Sequence, residues 1–157
     1  MTHNNISIYQ QRIGCTIHAL VGEIQQAIST VVKNPMIAFR VKDSETLQKK
    51  MKLKNTENVF LINDVYGIRI IVESVEEAYK VLKNVKMEFP GYLDRDYIRE
   101  PKVCLSEPNK GKLLRLLKFI AYKNGVPFEV QITTTAFHEV NEPLHEGYHR
   151  QKYHSGL

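Results

Sequence analysis

Apolar residues are most concentrated between Val59 and Val72, in the run VFLINDVYGIRIIV. The run is rich in β-branched residues, which is typical of a strand buried in the middle of a sheet. Two charged residues, Asp64 and Arg69, interrupt it. A buried carboxylate is costly unless it is ion-paired or bound to a metal. The pattern therefore predicts a central strand that carries a functional acid, with a turn capped by Asp64 as the alternative.

A second apolar strand is predicted from Pro127 to Thr134, and it carries Glu129 and Gln131 on one face. Asp64 and Glu129 would then each stand in an apolar strand. Two such acids predict a shared divalent-cation site, because carboxylate oxygens are ligands that Mg²⁺ prefers. In the alternative interpretation Glu129 faces water on an edge strand, and the pattern alone leaves both open.

The spacing of apolar residues predicts a first helix from about Ile6 to Lys33, ended by Asn34-Pro35 because proline cannot continue a helix. Ser74 followed by acidic residues predicts another helix start, since the macrodipole favours acids in the first turn. Lys123-Asn124-Gly125 is a hairpin signal. The remaining pattern predicts a strand over Met36–Val41, a helix from Asp43 or Ser44 to about Leu53, a helix ending near Lys86, a surface loop with Pro90-Gly91 and Pro101, hairpin strands over Leu113–Tyr122 and Pro127–Thr134, and a last helix from His138 to Tyr153.

Helices mixed with hairpin-linked strands predict an α+β fold. The 157 residues, 43% of them hydrophobic, are enough for one domain with a buried core, so we expect a single domain over 1–157, with an N-terminal helix in 1–34 and a core over 36–153. No apolar run is long enough to span a membrane, and the N-terminus lacks the regions of a signal peptide. Cys15 and Cys104 form no metal or redox motif, which favours free thiols in a reducing cytoplasm.

The net charge of +5 favours a polyanionic partner such as nucleotide phosphates or RNA. Arg40 and Lys42 stand where a predicted strand gives way to a helix, and Thr46 and Lys50 follow on that helix. Cations beside a helix N-terminus suit nucleotide phosphates, because backbone N–H groups and positive side chains point to the same place. The alternative is a solvated lysine face.

Five segments, taken in order, resemble the motifs of RelA/SpoT-type alarmone synthetase domains. They are Arg40-Val-Lys42 with Thr46 and Lys50-Met51, Asp64-Val-Tyr-Gly-Ile-Arg69, Asp96-Tyr-Ile-Arg-Glu-Pro-Lys102, Glu129-Val-Gln-Ile-Thr-Thr134 and His138-Glu-Val-Asn-Glu142. The resemblance implies a mixed sheet flanked by helices, related to nucleotidyltransferases. It also implies a pyrophosphokinase that transfers a pyrophosphoryl group from ATP, with Mg²⁺ as cofactor, to a nucleotide 3′-hydroxyl.

The resemblance also implies a role for each matching residue. Asp64 would hold Mg²⁺, and Glu129 would be a second metal contact or would draw the proton from the 3′-hydroxyl. Arg40 and Lys42 would hold the ATP. The other residues expected to contact nucleotides are Thr46, Lys50, Arg69, Tyr97, Lys102 and Gln131, with His138 and Glu142 supporting the site from the last helix.

The sequence departs from the family at the acceptor. The family's N-G-Y-x-S-x-H motif places a stacking Tyr near Leu113 and a His near Leu117, and the Arg of Q-I-R-T is Thr133. The acceptor therefore stays open between GDP or GTP and a tRNA 3′ end, with a non-catalytic nucleotide- or RNA-binding module as a further alternative. We expect GDP and GTP to be poor acceptors unless an aromatic such as Tyr97 or Tyr122 replaces the missing platform.

A different class of function, zinc-dependent hydrolysis, is suggested by the segment His145-Glu-Gly-Tyr-His149, which matches the H-E-x-x-H pattern of zinc hydrolases. Its two histidines would share a helical face, and Glu146 could act as base. The alternative is a surface position or support of the site. The sequence leaves the oligomeric state open, so a second copy of the chain stands among the candidate partners.

Overall fold

A five-stranded mixed sheet is the centre of this computed structural model, which describes residues 11, 16–42 and 44–154, with side chains for 11, 16–42 and 45–144. The helices are α1 (Ile17–Ile28), α2 (Ser44–Leu53), α3 (Val75–Glu88) and α4 (Thr135–His154). The strands are β1 (Met36–Val41), β2 (Tyr66–Val72), β3 (Gly91–Asp96), β4 (Lys102–Val103), β5 (Leu113–Leu114), β6 (Leu117–Lys123) and β7 (Val126–Thr134). None of the described helices is long and apolar enough to cross a membrane.

The strand order in the sheet is β1-β2-β7-β6-β3. Only β2 and β7 run parallel within it, and the other neighbours are antiparallel. Strands β4 and β5 form a separate small hairpin. The α+β fold with a mixed sheet flanked by helices is therefore confirmed.

The two faces of the sheet have opposite chemistry because side chains alternate along each strand. On one face, residues such as Ile68 and Val130 join α1 and α3 in one apolar cluster. Phe128 on this face meets Phe89 edge to face, with ring centroids 5.2 Å apart. The register places Arg69 beside Gln131 on the opposite face. This second, polar face carries the candidate site.

The prediction of one strand over Val59–Val72 is wrong in its first half. Val59–Leu61 is a 3₁₀ helix capped by Asn58, whose side chain accepts from the Phe60 N–H at 3.0 Å. Asp64 lies in the turn that follows, and β2 begins only at Tyr66. The apolar residues of the turn are buried like those of a strand, so hydrophobicity alone does not separate the two.

The predicted surface loop after α3 is also wrong in part, because it contains β3 at the sheet edge. Gly91 opens this strand, and a Cβ there would lie 2.0 Å from the Ile120 carbonyl oxygen, so only glycine fits. The strand predicted from Leu113 is interrupted between β5 and β6. The two-residue hairpin is confirmed, since Asn124 and Gly125 have φ values of 51° and 78°.

Candidate active site

A pocket opens on the polar face where the edge of β1 meets β2 and β7. The pocket is lined by Arg40, Gly67 and Glu129, which lie side by side on the three neighbouring strands. It is also lined by Arg69 and Gln131, the next pair on the same face of β2 and β7. The expectation that Glu129 and Gln131 share a face is confirmed. Both are nearly inaccessible to solvent, so Glu129 is not an exposed residue of an edge strand.

Gly67 lets the side chain of Arg40 lie directly on the floor of this pocket. A Cβ at position 67 would lie 3.2 Å from the Arg40 Nε and 3.3 Å from its Cγ. Both contacts are tighter than ordinary van der Waals distances. The missing side chain therefore sets the height of the guanidinium above the sheet.

Asp64 is buried beside the pocket in a cluster of three cations, which we call the Asp64 cluster. Its Oδ2 lies 3.1 Å from the Lys42 Nζ and 3.7 Å from the Arg40 Nη2, and its Oδ1 lies 3.1 Å from the Lys50 Nζ. The Lys42 N–H donates to the Val65 carbonyl at 2.7 Å, which fastens the end of β1 to the turn that carries Asp64. The end of β1, the turn and α2 therefore meet at one carboxylate.

The charged groups of the Asp64 cluster shift one another's pKa values. Burial raises the pKa of Asp64, but the ammonium groups of Lys42 and Lys50 outweigh it and hold that pKa well below its usual range. Burial lowers the pKa of Lys42, and the Asp64 charge opposes this. Near neutral pH the carboxylate is therefore ionised.

Glu129 belongs to a second chain of contacts that runs from the pocket to α4. The Gln131 Nε2 donates to the Glu129 Oε1 at 2.7 Å, and the Arg69 Nε donates to the Gln131 Oε1 at 3.0 Å. Arg69 also pairs with Glu142, and the His138 Nδ1 lies 3.7 Å from the same Glu142 oxygen. This chain fixes the orientation of Glu129 from two strands and a helix.

The remaining predicted residues lie on α2 and around β3 and β4. Thr46 is half-buried on α2. Asp96 ends β3, and its Oδ2 accepts from the Tyr79 hydroxyl at 2.7 Å. The half-buried Tyr97 follows it, and Lys102 is exposed on β4.

Sequence reasoning missed Lys118 and Asn141 near the polar face, and it missed the contacts of Thr133. Lys118 lies beside Gln131 in the register of β6 and β7, whereas the neighbouring Leu117 is fully buried on the apolar face. Thr133 and Asn141 are both buried and both bond to the backbone of Arg115. Period-two alternation along β6 could have singled out Lys118, but nothing in the sequence relates Asn141 to Arg115.

The carboxylates of Asp64, beside the pocket, and of Glu129, in its lining, are oxygen donors of the kind that magnesium binds together with phosphates. Asp64 and Glu129 offer carboxylate oxygens, and Mg²⁺ is commonly bound by one or two carboxylates with phosphates and water completing its coordination. Both oxygens of Asp64 face cations in this structure, which opposes binding of a bare metal ion. Among the described residues, no three His, Cys, Asp or Glu side chains are grouped so as to hold a metal.

The segment His145-Glu-Gly-Tyr-His149 continues the backbone of α4. Its side chains lie outside the described residues, as does Cys15, while Cys104 is a free thiol. The zinc-hydrolase alternative stays a prediction.

Comparison with known proteins identifies a family for most of the chain. Residues 39–155 match the sequence model of the region found in RelA / SpoT proteins. The chain belongs to the RelA/SpoT family.

Two curated relatives illustrate the range of names in this family. The chain is 33% identical over 130 residues to a guanosine-3′,5′-bis(diphosphate) 3′-pyrophosphohydrolase of Haemophilus influenzae, a match that covers 78% of the chain and 18% of the relative. It is 31% identical over 127 residues to a probable chloroplastic GTP diphosphokinase of Arabidopsis thaliana, covering 78% of the chain and 16% of the relative. The matches thus span less than a fifth of the length of these relatives.

The fold is similar to solved small alarmone synthetases of Bacillus subtilis. Synthetase 2 superposes with a TM-score of 0.64 at 24% identity, covering 94% of this chain and 80% of that one. Synthetase 1 bound to its product pppGpp gives 0.61 at 21% identity, covering 89% and 77%. Synthetase 1 has also been solved bound to AMPCPP, with a TM-score of 0.56 at 17% identity, covering 95% and 76%.

The Asp64 cluster makes a prediction about stability and pH. Because the pKa of Asp64 is lower in the folded than in the unfolded protein, its contribution to the free energy of unfolding is fully present above the unfolded value, about 3.9. That contribution is lost as pH falls through the folded value. Asp64→Asn should lower the free energy of unfolding at pH 7 by about 3–5 kcal/mol, because it leaves Lys42 buried without its counter-charge.

Urea unfolding at pH 7, 5 and 3 measures this effect, and the difference between parent and variant should begin to shrink below about pH 4. Asp94→Asn is the matched control, since Asp94 pairs with the exposed Arg95 at 3.7 Å. Asp94→Asn should lower the free energy of unfolding by no more than about 1 kcal/mol. Equal urea midpoints for the parent and Asp64→Asn at pH 7 would contradict the assignment.

Proposed function

We propose that this chain is a nucleotide pyrophosphokinase that moves a pyrophosphoryl group from ATP to the 3′-hydroxyl of an acceptor nucleotide. The observation that carries the proposal is the Asp64 cluster, in which three cations gather on one buried carboxylate beside the pocket that holds Glu129. Membership of the RelA/SpoT family, with relatives named as GTP diphosphokinase and as pyrophosphohydrolase, supports the same class of substrate.

The donor half of the reaction would use the Asp64 cluster. The triphosphate of ATP would take over the contacts of Arg40, Lys42 and Lys50, because phosphate oxygens offer these cations several charge-assisted hydrogen bonds. Asp64 would then be free for the magnesium ion that accompanies ATP, with Glu129 as the second carboxylate. Bound there, magnesium would offset the negative charge of the transferring group.

Glu129 is suited to accept the proton of the attacking hydroxyl. Its Oε1 is held by Gln131, and its burial keeps water from competing. The 3′-oxygen would bond to the β-phosphorus of ATP as the bond to the α-phosphate oxygen breaks, and AMP would leave. Arg69 contacts Gln131 and stands on the same face, where it would compensate for charge in the transition state.

The acceptor within this proposal is GDP or GTP in the first instance, as the structural neighbour crystallised with its product pppGpp suggests. The resemblance puts the family's stacking Tyr near Leu113 and its Arg at Thr133, and this departure favours two other possibilities. One is transfer to the 3′ end of tRNA, and the other is a module that binds nucleotide without transfer. An assay of transfer from labelled ATP to GDP, GTP and tRNA distinguishes these possibilities.

The close approach of Arg40 to Gly67 provides a test of the donor site. In Gly67→Ala the new methyl group would displace the flexible Arg40 side chain, so the fold should survive while affinity for AMPCPP falls roughly tenfold, about 1.4 kcal/mol. Gly22→Ala is the matched control, because a Cβ at Gly22 meets nothing within 4 Å. Calorimetric titration with AMPCPP and Mg²⁺ measures both variants. Unchanged affinity in Gly67→Ala would place the nucleotide away from Arg40.

Removal of the proposed base tests the chemistry. Glu129→Gln keeps the shape of the side chain and should reduce transfer about 10²–10⁴-fold, the range for losing a general base. The assay follows AMP release from labelled ATP with GDP, GTP and tRNA offered in turn. Glu139→Gln, on the exposed side of α4, is the control and should behave like the parent.

The results separate the three possibilities. Saturable transfer to GDP or GTP would support alarmone synthesis. Transfer to tRNA alone would identify the 3′ end of tRNA as the acceptor. AMPCPP binding without transfer to any of the three would leave a non-catalytic binding module and overturn the proposed enzyme.

A further inference from the structure

The backbone of Arg115, between β5 and β6, is hydrogen-bonded by side chains rather than by a strand. The Arg115 N–H donates to the Asn141 Oδ1 at 3.0 Å, and the Asn141 Nδ2 donates to the Arg115 carbonyl oxygen at 2.8 Å. The Thr133 hydroxyl donates to the same oxygen at 2.8 Å. Asn141 and Thr133 are each only 1% exposed. A single buried amide thus satisfies both polar groups of one residue, as a neighbouring strand would.

The hairpin that precedes Arg115 is short. Strands β4 and β5 pair over only two residues each, and an isolated two-stranded hairpin is marginal in water. The Arg115 guanidinium lies over the Phe137 ring, 5.4 Å from its centroid, which adds a second contact to α4. Bonds to α4 and β7 therefore contribute to the position of this hairpin against the sheet.

Two residues of the proposed nucleotide site are attached to the same segment. The Tyr97 N–H donates to the Leu116 carbonyl at 2.9 Å, and Lys102 pairs with Leu114 across the hairpin. We call residues 97–103 and 113–116 the acceptor wall. Arg115 stands between the two attachment points, so displacement of its backbone would move Tyr97 and Lys102 together.

The residues that hold the acceptor wall are also connected to the catalytic face. Thr133 follows Gln131 on the same face of β7, four residues or roughly 13 Å along the strand from Glu129. Asn141 precedes Glu142, which pairs with Arg69 and so reaches Gln131. One turn of α4 therefore contacts both the wall and the chain that orients Glu129.

We propose that Asn141 is a positioning residue that sets the acceptor wall at its distance from Glu129, with Thr133 as its partner. The proposal rests on the function proposed above and deepens it. Asn141 does not contact the Asp64 cluster in any hydrogen bond found among the described residues, so ATP binding should be independent of it. The acceptor, an anionic nucleotide or nucleic-acid end, is the substrate that should respond.

The test uses variants that separate the individual bonds. Asn141→Leu removes every bond of the amide at similar volume, while Asn141→Asp keeps an oxygen for the Arg115 N–H but loses the donor to its carbonyl. Thr133→Val removes the hydroxyl without changing the shape, and Thr133→Ser restores the hydroxyl. Each variant is assayed for the KM of the acceptor that the parent uses among GDP, GTP and tRNA, for kcat, and for AMPCPP affinity. Hydrogen exchange at the Arg115 amide reports on the bond itself.

We expect Asn141→Leu to raise the acceptor KM at least about tenfold, the effect of losing one or two net hydrogen bonds, with AMPCPP affinity within about twofold. Exchange at the Arg115 amide should become faster in Asn141→Leu and stay slow in Asn141→Asp. Thr133→Val should raise the acceptor KM by a smaller factor, and Thr133→Ser should match the parent. If Asn141→Leu does not fold, the comparison of Thr133→Val with Thr133→Ser decides the question.

Three results would overturn the inference. An unchanged acceptor KM in a variant whose Arg115 amide exchanges faster would show that the bonds do not set acceptor binding. An equal loss of AMPCPP affinity and acceptor binding would show a general structural role. If the parent is active, either of these two results overturns this inference alone. The third result is a parent that transfers to none of the three acceptors, and it overturns both the proposed function and this inference.

Discussion

The burial of Asp64 among cations is the constraint on which the rest of the site depends. A lone buried carboxylate or a lone buried ammonium group would be strongly unfavourable, so Asp64 and Lys42 are stable in the interior only together. Because Lys42 ends β1, Lys50 lies on α2 and Asp64 precedes β2, this requirement brings three elements to one point. In the proposed function, the same cations would exchange this carboxylate for the phosphate oxygens of ATP.

The sheet places this charge beside Glu129 without disturbing the core. Alternation along β2 and β7 sends Ile68 and Val130 to the apolar cluster and Arg69 and Gln131 to the polar face. Each polar side chain on β7 is bonded to a neighbour, which keeps buried polar atoms satisfied. Helix α4 closes the arrangement from the end of β7, through Glu142 on one side and Asn141 on the other.

Local patterns predicted much of this fold. Strand β1, helix α2 and the Asn124-Gly125 turn follow from alternation, apolar spacing and turn chemistry, and each lies where it was expected. Alternation also placed Glu129 and Gln131 correctly on one face. The position of Asp64 was wrong because a buried turn is as apolar as a strand, and edge strand β3 was missed because Pro90-Gly91 is typical of a loop. Contacts such as that between Asn141 and Arg115 depend on how distant segments pack, which no local pattern contains.

The most direct test of the account is a crystal structure of the protein with AMPCPP and Mg²⁺. The account predicts phosphate oxygens within about 2.7–2.9 Å of the Lys42 and Lys50 ammonium groups, the usual length of a charge-assisted hydrogen bond. Asp64 should have left at least one of these lysines and turned to the metal. A nucleotide bound elsewhere on the molecule, with Asp64 still paired to both lysines, would contradict the account.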